Sequence, residues 1–155
     1  MRFLSILTFC TVVLFSCGSS SENLPDIFQA HGVALDGYDV VAYHTDSVAT
    51  HGDNEHRIKY NGATYAFSSQ KNLDLFKANP KKYLPAYGGW CAYAVAAKQV
   101  KMAPNLEMWQ IQDGRLIFFF DNIVTKITGN LQDKWNEDPK WFESKSDVEW
   151  ERMTK

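Results

Sequence analysis

Several residue types and motifs that would indicate a particular chemistry are scarce in this sequence. Its 155 residues include three cysteines, too few for the dense disulfide framework of small secreted domains. It contains no nucleophile elbow, phosphate-binding loop or zinc-protease motif, so no enzyme class is indicated. Basic and acidic residues number 16 and 18, and no basic run stands out, which argues against a nucleic-acid partner.

The abundant residue types predict one ordinary globular domain. Hydrophobic residues make up 45% of the sequence and charged residues 22%, a balance typical of folded rather than disordered chains. Aromatic residues reach 14%, which favours a core or a pocket rich in rings. Outside the N-terminus, no stretch approaches the roughly 20 apolar residues of a membrane-spanning helix.

The N-terminus has a different composition and predicts export. Arg2 supplies a positive charge, and the segment Phe3–Phe15 is mostly apolar. A helix of that length would measure about 20 Å against a bilayer core of about 30 Å, so the segment fits a signal peptide better than a membrane span. It ends in Leu14-Phe15-Ser16-Cys17, which resembles the bacterial lipobox, where cleavage precedes a cysteine that receives lipid.

This pattern divides the chain into three predicted parts. Residues 1–16 form a lipoprotein signal peptide, residues 17–26 form the lipidated Cys17 and a flexible tether, and residues 27–155 form a single domain. The alternative is ordinary secretion with cleavage after Gly18. We therefore expect an exported protein held by lipid on the bacterial cell envelope, at the periplasmic face or the outer membrane.

Two dipeptides predict β-hairpins in the domain. Asn61-Gly62 and Asp113-Gly114 both tolerate the positive φ angles that a type I′ turn requires. The flanking strands are predicted at residues 56–60, 63–67, 107–112 and 115–120. Because Phe118–Phe120 is a run of three rings, both faces of the last strand are expected to be covered.

Helical signals lie between and after these hairpins. One helix is capped by Ser68 or Ser69 and ends near Ala78, and another begins at Asp138-Pro139. A longer helix, capped by Asp121, is predicted from apolar side chains that recur on one face: Ile123, Ile127, Leu131 and Trp135. Further helical segments are expected at 80–83, at 90–97 and in the tail from 143. The predicted fold class is α+β, with a small antiparallel sheet built from two hairpins and packed with several short helices.

Four blocks of this sequence resemble exported members of the YHS-domain family. The first is similar to the family's Gly-Tyr-Asp-Pro-Val-Ala-Tyr opening, with Val40 in place of the proline, and the second to its Tyr-x-Gly-x-x-Tyr-x-Phe-x-Ser core. His44 stands where an aromatic residue is usual. The blocks are residues 37–43, 60–69, 79–83 and 87–92. The likeness extends over about residues 34–135, so the folded part is predicted to be a single YHS-like domain.

The resemblance implies a binding role and leaves its ligand open. Some YHS domains are thought to bind or sense copper or zinc, and those members carry a cysteine where this sequence has Ser68. A neutral hydroxyl is a poor ligand for such metals. Many exported members have no assigned activity.

Three residues are candidate metal ligands, for copper or zinc. Cys91, His44 and His56 have suitable side chains, although their spacing matches no compact ligand motif. Cys91 is the thiol left after removal of Cys10 and lipidation of Cys17. Its apolar neighbours favour the alternative that it is a buried core residue.

A second candidate is a pocket for a small ligand. Six residues are predicted to line it: Tyr38, Asp39, Tyr43, Tyr65, Tyr87 and Trp90. The alternative is that the rings belong to the core and that Asp39 caps a helical turn, although Asp36 and Asp39 could also act as paired carboxylates. Gly88-Gly89 would admit either a ligand or a tight turn.

Three functional hypotheses follow from the sequence. The first is a non-enzymatic, membrane-anchored YHS-domain lipoprotein that binds a metal ion or a small ligand in the envelope. The second is an interaction module that docks another envelope protein through an aromatic surface. The third, the least favoured, is a thiol-dependent enzyme that uses Cys91.

Overall fold

Three β-hairpins and seven helices make up residues 26–155, the part of the chain that the computed structural model describes. The strands are β1 (Gln29–Ala30), β2 (Val33–Ala34), β3 (Arg57–Tyr60), β4 (Ala63–Ala66), β5 (Asn105–Gln112) and β6 (Arg115–Phe119). The helices are α1 (Ala42–Thr45), α2 (Gln70–Ala78), α3 (Pro80–Tyr83), α4 (Ala92–Lys98), α5 (Ile123–Thr128), α6 (Leu131–Glu137) and α7 (Pro139–Met153). Two 3₁₀ segments span Leu35–Gly37 and Ala86–Gly89. The predicted signal peptide, Cys17 and the tether before residue 26 lie outside the described residues.

The predicted hairpins are confirmed, and both form at the dipeptides that were expected to turn. Asn61 and Gly62 have φ of 46° and 80°, and Asp113 and Gly114 have φ of 49° and 78°, as a type I′ turn requires. A third hairpin, β1–β2, turns in the same left-handed region at His31-Gly32 and was not predicted. Among residues 26–155 the strands form three separate two-stranded sheets rather than one.

Strand β6 lies between two hydrophobic clusters. Leu116 and Phe118 belong to the larger cluster, with Val41, Phe67 and Phe76 among its members. The alternate residues, Ile117 and Phe119, belong to the smaller cluster with Tyr87, Ala92, Val95 and Trp135. Because successive side chains of a strand point to opposite faces, this alternation covers both faces of β6, as the run of phenylalanines indicated.

Two of the helices begin at their predicted caps. The Ser69 hydroxyl accepts a hydrogen bond from the Asn72 backbone amide at 3.2 Å and begins α2. Asp138 accepts one from the Trp141 amide at 3.1 Å and begins α7, with Pro139 at its first position. Helix α7 runs for 15 residues, so the predicted tail helix is part of it.

The predicted long helix after Asp121 is wrong. Gly129, with φ of 95°, separates α5 from α6, and Asn122 rather than Asp121 caps α5. The break reorients the apolar stripe, so Ile123 and Ile127 are 76% and 80% exposed whereas Trp135 is fully buried. The i, i+4 spacing of these apolar residues predicted one continuous helix, but Gly129 ends the helix before the spacing is complete.

The α+β class is confirmed, with short helices packed around small antiparallel hairpins. No helix within residues 26–155 has the length and apolar character needed to cross a membrane.

Candidate functional site

Asp39, one of the predicted pocket residues, has hydrogen bonds to both of its carboxylate oxygens. Its side chain is fully buried. Oδ1 accepts hydrogen bonds from the backbone amides of Val41 at 2.9 Å and Ala42 at 3.3 Å. Oδ2 accepts from the Ser68 amide at 2.8 Å, the Ser68 hydroxyl at 2.7 Å and the Asn72 side-chain amide at 2.7 Å. Five donors therefore satisfy the buried charge.

This arrangement makes Asp39 a structural residue. The hydrogen bonds from the Val41 and Ala42 amides stabilise the turn that leads into α1, and those from Ser68 and Asn72 hold α2 against it. Asp36 lies elsewhere, bonded to the exposed His31 ring at 2.7 Å. The two carboxylates therefore do not work as an acid–base or cation-binding pair.

Cys91 lies in the interior beside β6. It pairs with Phe118 in an isolated parallel bridge, and its backbone amide donates to the Met102 carbonyl at 3.0 Å. The residue is fully buried, and burial raises the pKa of its thiol. A neutral, enclosed thiol is both a weak nucleophile and a weak metal ligand.

His44 presents a nitrogen without a partner. Its Nε2 atom is fully enclosed and makes no hydrogen bond within the described residues. The ring meets Tyr83 edge to face, with centroids 5.4 Å apart. Burial, together with the charge of Lys82, lowers the pKa of His44, so the folded protein favours the neutral imidazole.

His56 lies in the loop before β3, where Nδ1 is 2.9 Å from both carboxylate oxygens of Asp53. Asp53 also accepts hydrogen bonds from the amides of Glu55 and His56, so this histidine belongs to a local turn. Within residues 26–155, no three His, Cys, Asp or Glu side chains are grouped so that they could hold a metal ion. The structure thus does not gather the candidate ligands Cys91, His44 and His56.

Four of the predicted pocket residues are used in packing. The Tyr43 hydroxyl donates to the Leu106 carbonyl at 2.8 Å, and its ring is fully buried. Tyr38 stacks on His51, with centroids 3.9 Å apart, and Trp90 meets Phe28 edge to face at 5.2 Å. The last of the four, Tyr87, lies in the smaller cluster, where its hydroxyl donates to the Asp147 carboxylate at 3.0 Å.

Tyr65, the remaining predicted pocket tyrosine, lines a partly open cleft of about 310 Å³. Its cleft neighbours come from three separate parts of the chain: Asp26, Ile27, Asn61, Leu84, Pro85 and Gly88. The Tyr65 ring is buried and packs on Phe76 at 5.1 Å. Sequence reasoning identified Tyr65 and missed these neighbours, because no local pattern links residues so distant along the chain.

Tyr65 brings a hydroxyl group to the lining of this cleft. This hydroxyl makes no hydrogen bond to other described residues, and it is not among the enclosed side-chain atoms that lack a partner. Burial, with Tyr60 nearby, raises the pKa of Tyr65, so the hydroxyl stays protonated and can donate as well as accept.

Gly88 determines how one wall of the cleft is built. A Cβ atom at this position would lie 1.9 Å from the Asp26 carbonyl oxygen, and the Gly88 φ is +57°. The Phe28 amide donates to the Gly88 carbonyl at 2.7 Å. The absence of a side chain at Gly88 therefore lets the segment at Asp26 pack closely against it, rather than a ligand.

Comparison of the sequence with known protein families supports the resemblance to the YHS domain over part of the chain. Residues 41–87 match the family model of the YHS domain. The match contains α1, the β3–β4 hairpin, α2 and α3, and it includes Ser68 and Tyr65. No significant match was found among curated proteins or among solved structures.

A role in metal binding is compatible with the YHS domain as a family, so the fit of this chain to a metal can be tested. The YHS resemblance places Ser68 where metal-binding members carry cysteine. Its hydroxyl donates to Asp39 and accepts from the Asn72 amide at 3.3 Å, so it is already occupied. With neither a thiolate nor a ligand cluster in residues 26–155, these side chains do not fit copper or zinc.

Proposed function

We propose that this protein is a non-enzymatic, lipid-anchored protein of the bacterial cell envelope whose YHS domain binds a small molecule in the Tyr65 cleft. The carrying observation is the Tyr65 hydroxyl, which makes no hydrogen bond to other described residues and belongs to a concave site with a largely apolar lining that includes Leu84 and Pro85. Sites of this kind combine apolar walls with a few polar groups that orient a ligand.

Two further observations favour binding over catalysis. The thiol of Cys91 is buried and neutral, which removes the nucleophile that the enzyme hypothesis needs. The buried carboxylate of Asp39 is saturated by hydrogen bonds and lies among packed residues. Neither Cys91 nor Asp39 is among the residues that line the cleft.

The ligand-binding part of the proposal is tested by what co-purifies with the protein. The mature protein, isolated from membranes of its host, should carry a small molecule detectable by native mass spectrometry and by extraction. Leu84→Trp fills the cleft and should abolish that mass, whereas Val148→Trp, at a position 61% exposed on α7, should retain it. Equal retention by both variants would contradict binding in the cleft.

The same preparation tests metal binding as the competing outcome. Titration with copper and with zinc under native conditions should show no stoichiometric uptake, because the described residues offer no ligand cluster. Uptake of one ion per chain that is lost in His44→Gln would instead assign the metal to the enclosed Nε2 atom of His44.

The anchor is supported by the sequence Leu14-Phe15-Ser16-Cys17 at the end of a short apolar segment. Metabolic labelling with an alkyne fatty acid should mark the wild-type protein. Cys17→Ser should lose the label and leave the membrane fraction, while Cys10→Ser, a matched change inside the signal peptide, should keep both properties. Unlabelled wild-type protein would favour ordinary secretion.

A second candidate function is an interaction module that docks another envelope protein. It is favoured by α5, a helix with no buried residue, on which Ile123, Val124 and Ile127 are 76%, 57% and 80% exposed. This surface is aliphatic rather than aromatic. A photo-crosslinker at position 127 should capture one defined envelope protein in cells, and Val124→Lys should prevent the capture; the same crosslinker at position 148 is the control.

A further inference from the structure

The charges around the cleft indicate which ligands it can accept. Asp26 is the one lining residue of the cleft that carries a carboxylate or a basic group, and it forms an ion pair with the Lys101 ammonium group. Lys101 is also held over the Trp150 ring, 5.3 Å from its centroid. An anionic ligand would face the Asp26 carboxylate, and a cationic ligand would have to displace an ammonium group that already has two partners.

The open hydrogen-bonding groups of the cleft are uncharged. The Tyr65 hydroxyl and the Asn61 side-chain amide make no hydrogen bonds to other described residues. Both offer a donor and an acceptor. Asn61 lies at the tip of the β3–β4 turn, and Tyr65 is held by the packing of its ring on Phe76, so the Tyr65 hydroxyl is already positioned to meet a ligand.

The remaining walls are apolar and come from two parts of the chain. Ile27 belongs to the segment whose Asp26 carbonyl lies against Gly88, while Leu84 and Pro85 follow α3. A volume of about 310 Å³ is at the lower end of ligand-binding pockets, so the occupant is small.

Resting on the cleft function proposed above, we infer that the ligand is a small, uncharged and largely apolar molecule with a hydroxyl or carbonyl group. That group bonds to the Tyr65 hydroxyl and the Asn61 amide, while the apolar body lies against Ile27, Leu84 and Pro85. Charged molecules of the same size bind more weakly, because their desolvation is not repaid by a free opposite charge.

Three probes of matched size and different charge test this inference: benzyl alcohol, benzoate and benzylammonium. The full-length protein, in lipid nanodiscs, is labelled at isoleucine and leucine methyl groups and titrated with each probe in turn. Saturable shifts at Ile27 and Leu84 report the cleft, whereas partition into the bilayer produces no saturable change at these methyl groups. Benzyl alcohol should bind at least about fivefold more tightly than either charged probe.

Two tyrosine variants identify the hydrogen bond. Tyr65→Phe keeps the ring and should weaken benzyl alcohol binding by about fivefold to tenfold, the loss of one hydrogen bond. Tyr60→Phe removes a neighbouring hydroxyl that does not line the cleft and should leave the affinity unchanged. Unchanged methyl spectra away from the cleft verify that both variants are folded.

The outcomes separate the inference from the function on which it rests. Saturation of the cleft by benzoate or benzylammonium at equal or higher affinity would overturn the uncharged class and leave cleft binding intact. The absence of saturable shifts with all three probes would overturn both. Equal affinity of wild type and Tyr65→Phe for benzyl alcohol would overturn the role of the hydroxyl.

Discussion

The hydroxyl of Ser68 donates a 2.7 Å hydrogen bond to Oδ2 of Asp39, a carboxylate 29 residues earlier in the chain. The Ser68 backbone amide reaches the same oxygen at 2.8 Å. This relationship joins the end of the β3–β4 hairpin to the turn before α1. It also explains why serine suits this position, since the hydroxyl is a stronger donor to a carboxylate than a thiol would be.

Replacing the buried carboxylate should destabilise the fold. In Asp39→Asn, the new amide group faces donors from Ser68 and Asn72 and leaves at least one of them unpaired. We expect a loss of roughly 3 kcal/mol in the free energy of unfolding, measured by urea denaturation. Asp36→Asn is the matched control and should change stability by less than about 0.5 kcal/mol, because Asp36 pairs with an exposed histidine. Similar losses in both variants would contradict a special role for Asp39.

Alanine substitutions at Gly88 and Gly114 distinguish the cost of a steric clash from the cost of backbone strain. Both have positive φ, of +57° and +78°, but a Cβ atom meets the Asp26 carbonyl in one case and open space in the other. Gly114→Ala should cost about 1–2 kcal/mol, from the left-handed backbone alone. Gly88→Ala should cost about 3 kcal/mol or more, because the segment at Asp26 must also move. Thermal and urea unfolding give both values, and the methyl signal of Ile27 should shift in Gly88→Ala only.

Arg115 should stabilise the contact between β6 and α7. Its guanidinium group lies 3.0 Å from Glu143 and 2.8 Å from Asp147, and it stacks over the Tyr87 ring at 5.0 Å. Arg115→Met keeps the aliphatic stem and removes the charge, so we expect a loss of about 1–2 kcal/mol in urea denaturation.

The matched control for Arg115 is Lys140, whose ammonium group pairs with Asp113 while its side chain is 74% exposed. Lys140→Met should leave the urea midpoint almost unchanged, because exposed ion pairs contribute little to stability. A loss in Lys140→Met as large as that in Arg115→Met would show that Arg115 acts through net charge rather than through its contacts with Glu143, Asp147 and Tyr87.

His44 predicts a loss of stability on mild acidification. Burial and the charge of Lys82 lower its pKa in the folded protein below the ordinary value of 6.5, so the unfolded chain binds a proton more readily. The contribution of neutral His44 to the free energy of unfolding is therefore complete above about pH 6.5. It is lost as the pH falls through the lowered pKa of the folded protein. Urea denaturation midpoints between about pH 7.5 and pH 5 should fall in the wild type and fall less in His44→Gln.

The control for this pH dependence is His31, an exposed residue. Asp36 raises the pKa of His31, which gives a contribution of the opposite sign, present at low pH and lost as the pH rises. His31→Gln should therefore keep the loss of stability at mildly acidic pH. The pKa values of Asp53 and Glu149 are lowered from 3.8 and 4.5, so these carboxylates change stability at a pH below the range of these denaturation measurements. A His44→Gln variant with the wild-type pH profile would contradict the assignment.

The sequence by itself determined the turns and caps of the described domain. Asn61-Gly62 and Asp113-Gly114 form the predicted hairpins, and Ser69 and Asp138 begin the predicted helices. These features depend on φ angles and side-chain oxygens within a few residues, so local chemistry is sufficient to specify them. The same applies to Phe118 and its neighbours, whose uninterrupted run indicated a strand covered on both faces.

Tertiary structure alone decided which residues share a site. The donors to Asp39 come from 29 and 33 residues away, and the cleft joins residue 26 to Tyr65 and Gly88. Sequence periodicity does not predict these long-range contacts, because they depend on the path of the chain between the helices and strands. For the same reason Ile123 and Ile127 carry a core-like spacing yet lie exposed: a single left-handed glycine redirects the chain, and packing of the remaining elements determines which face is covered.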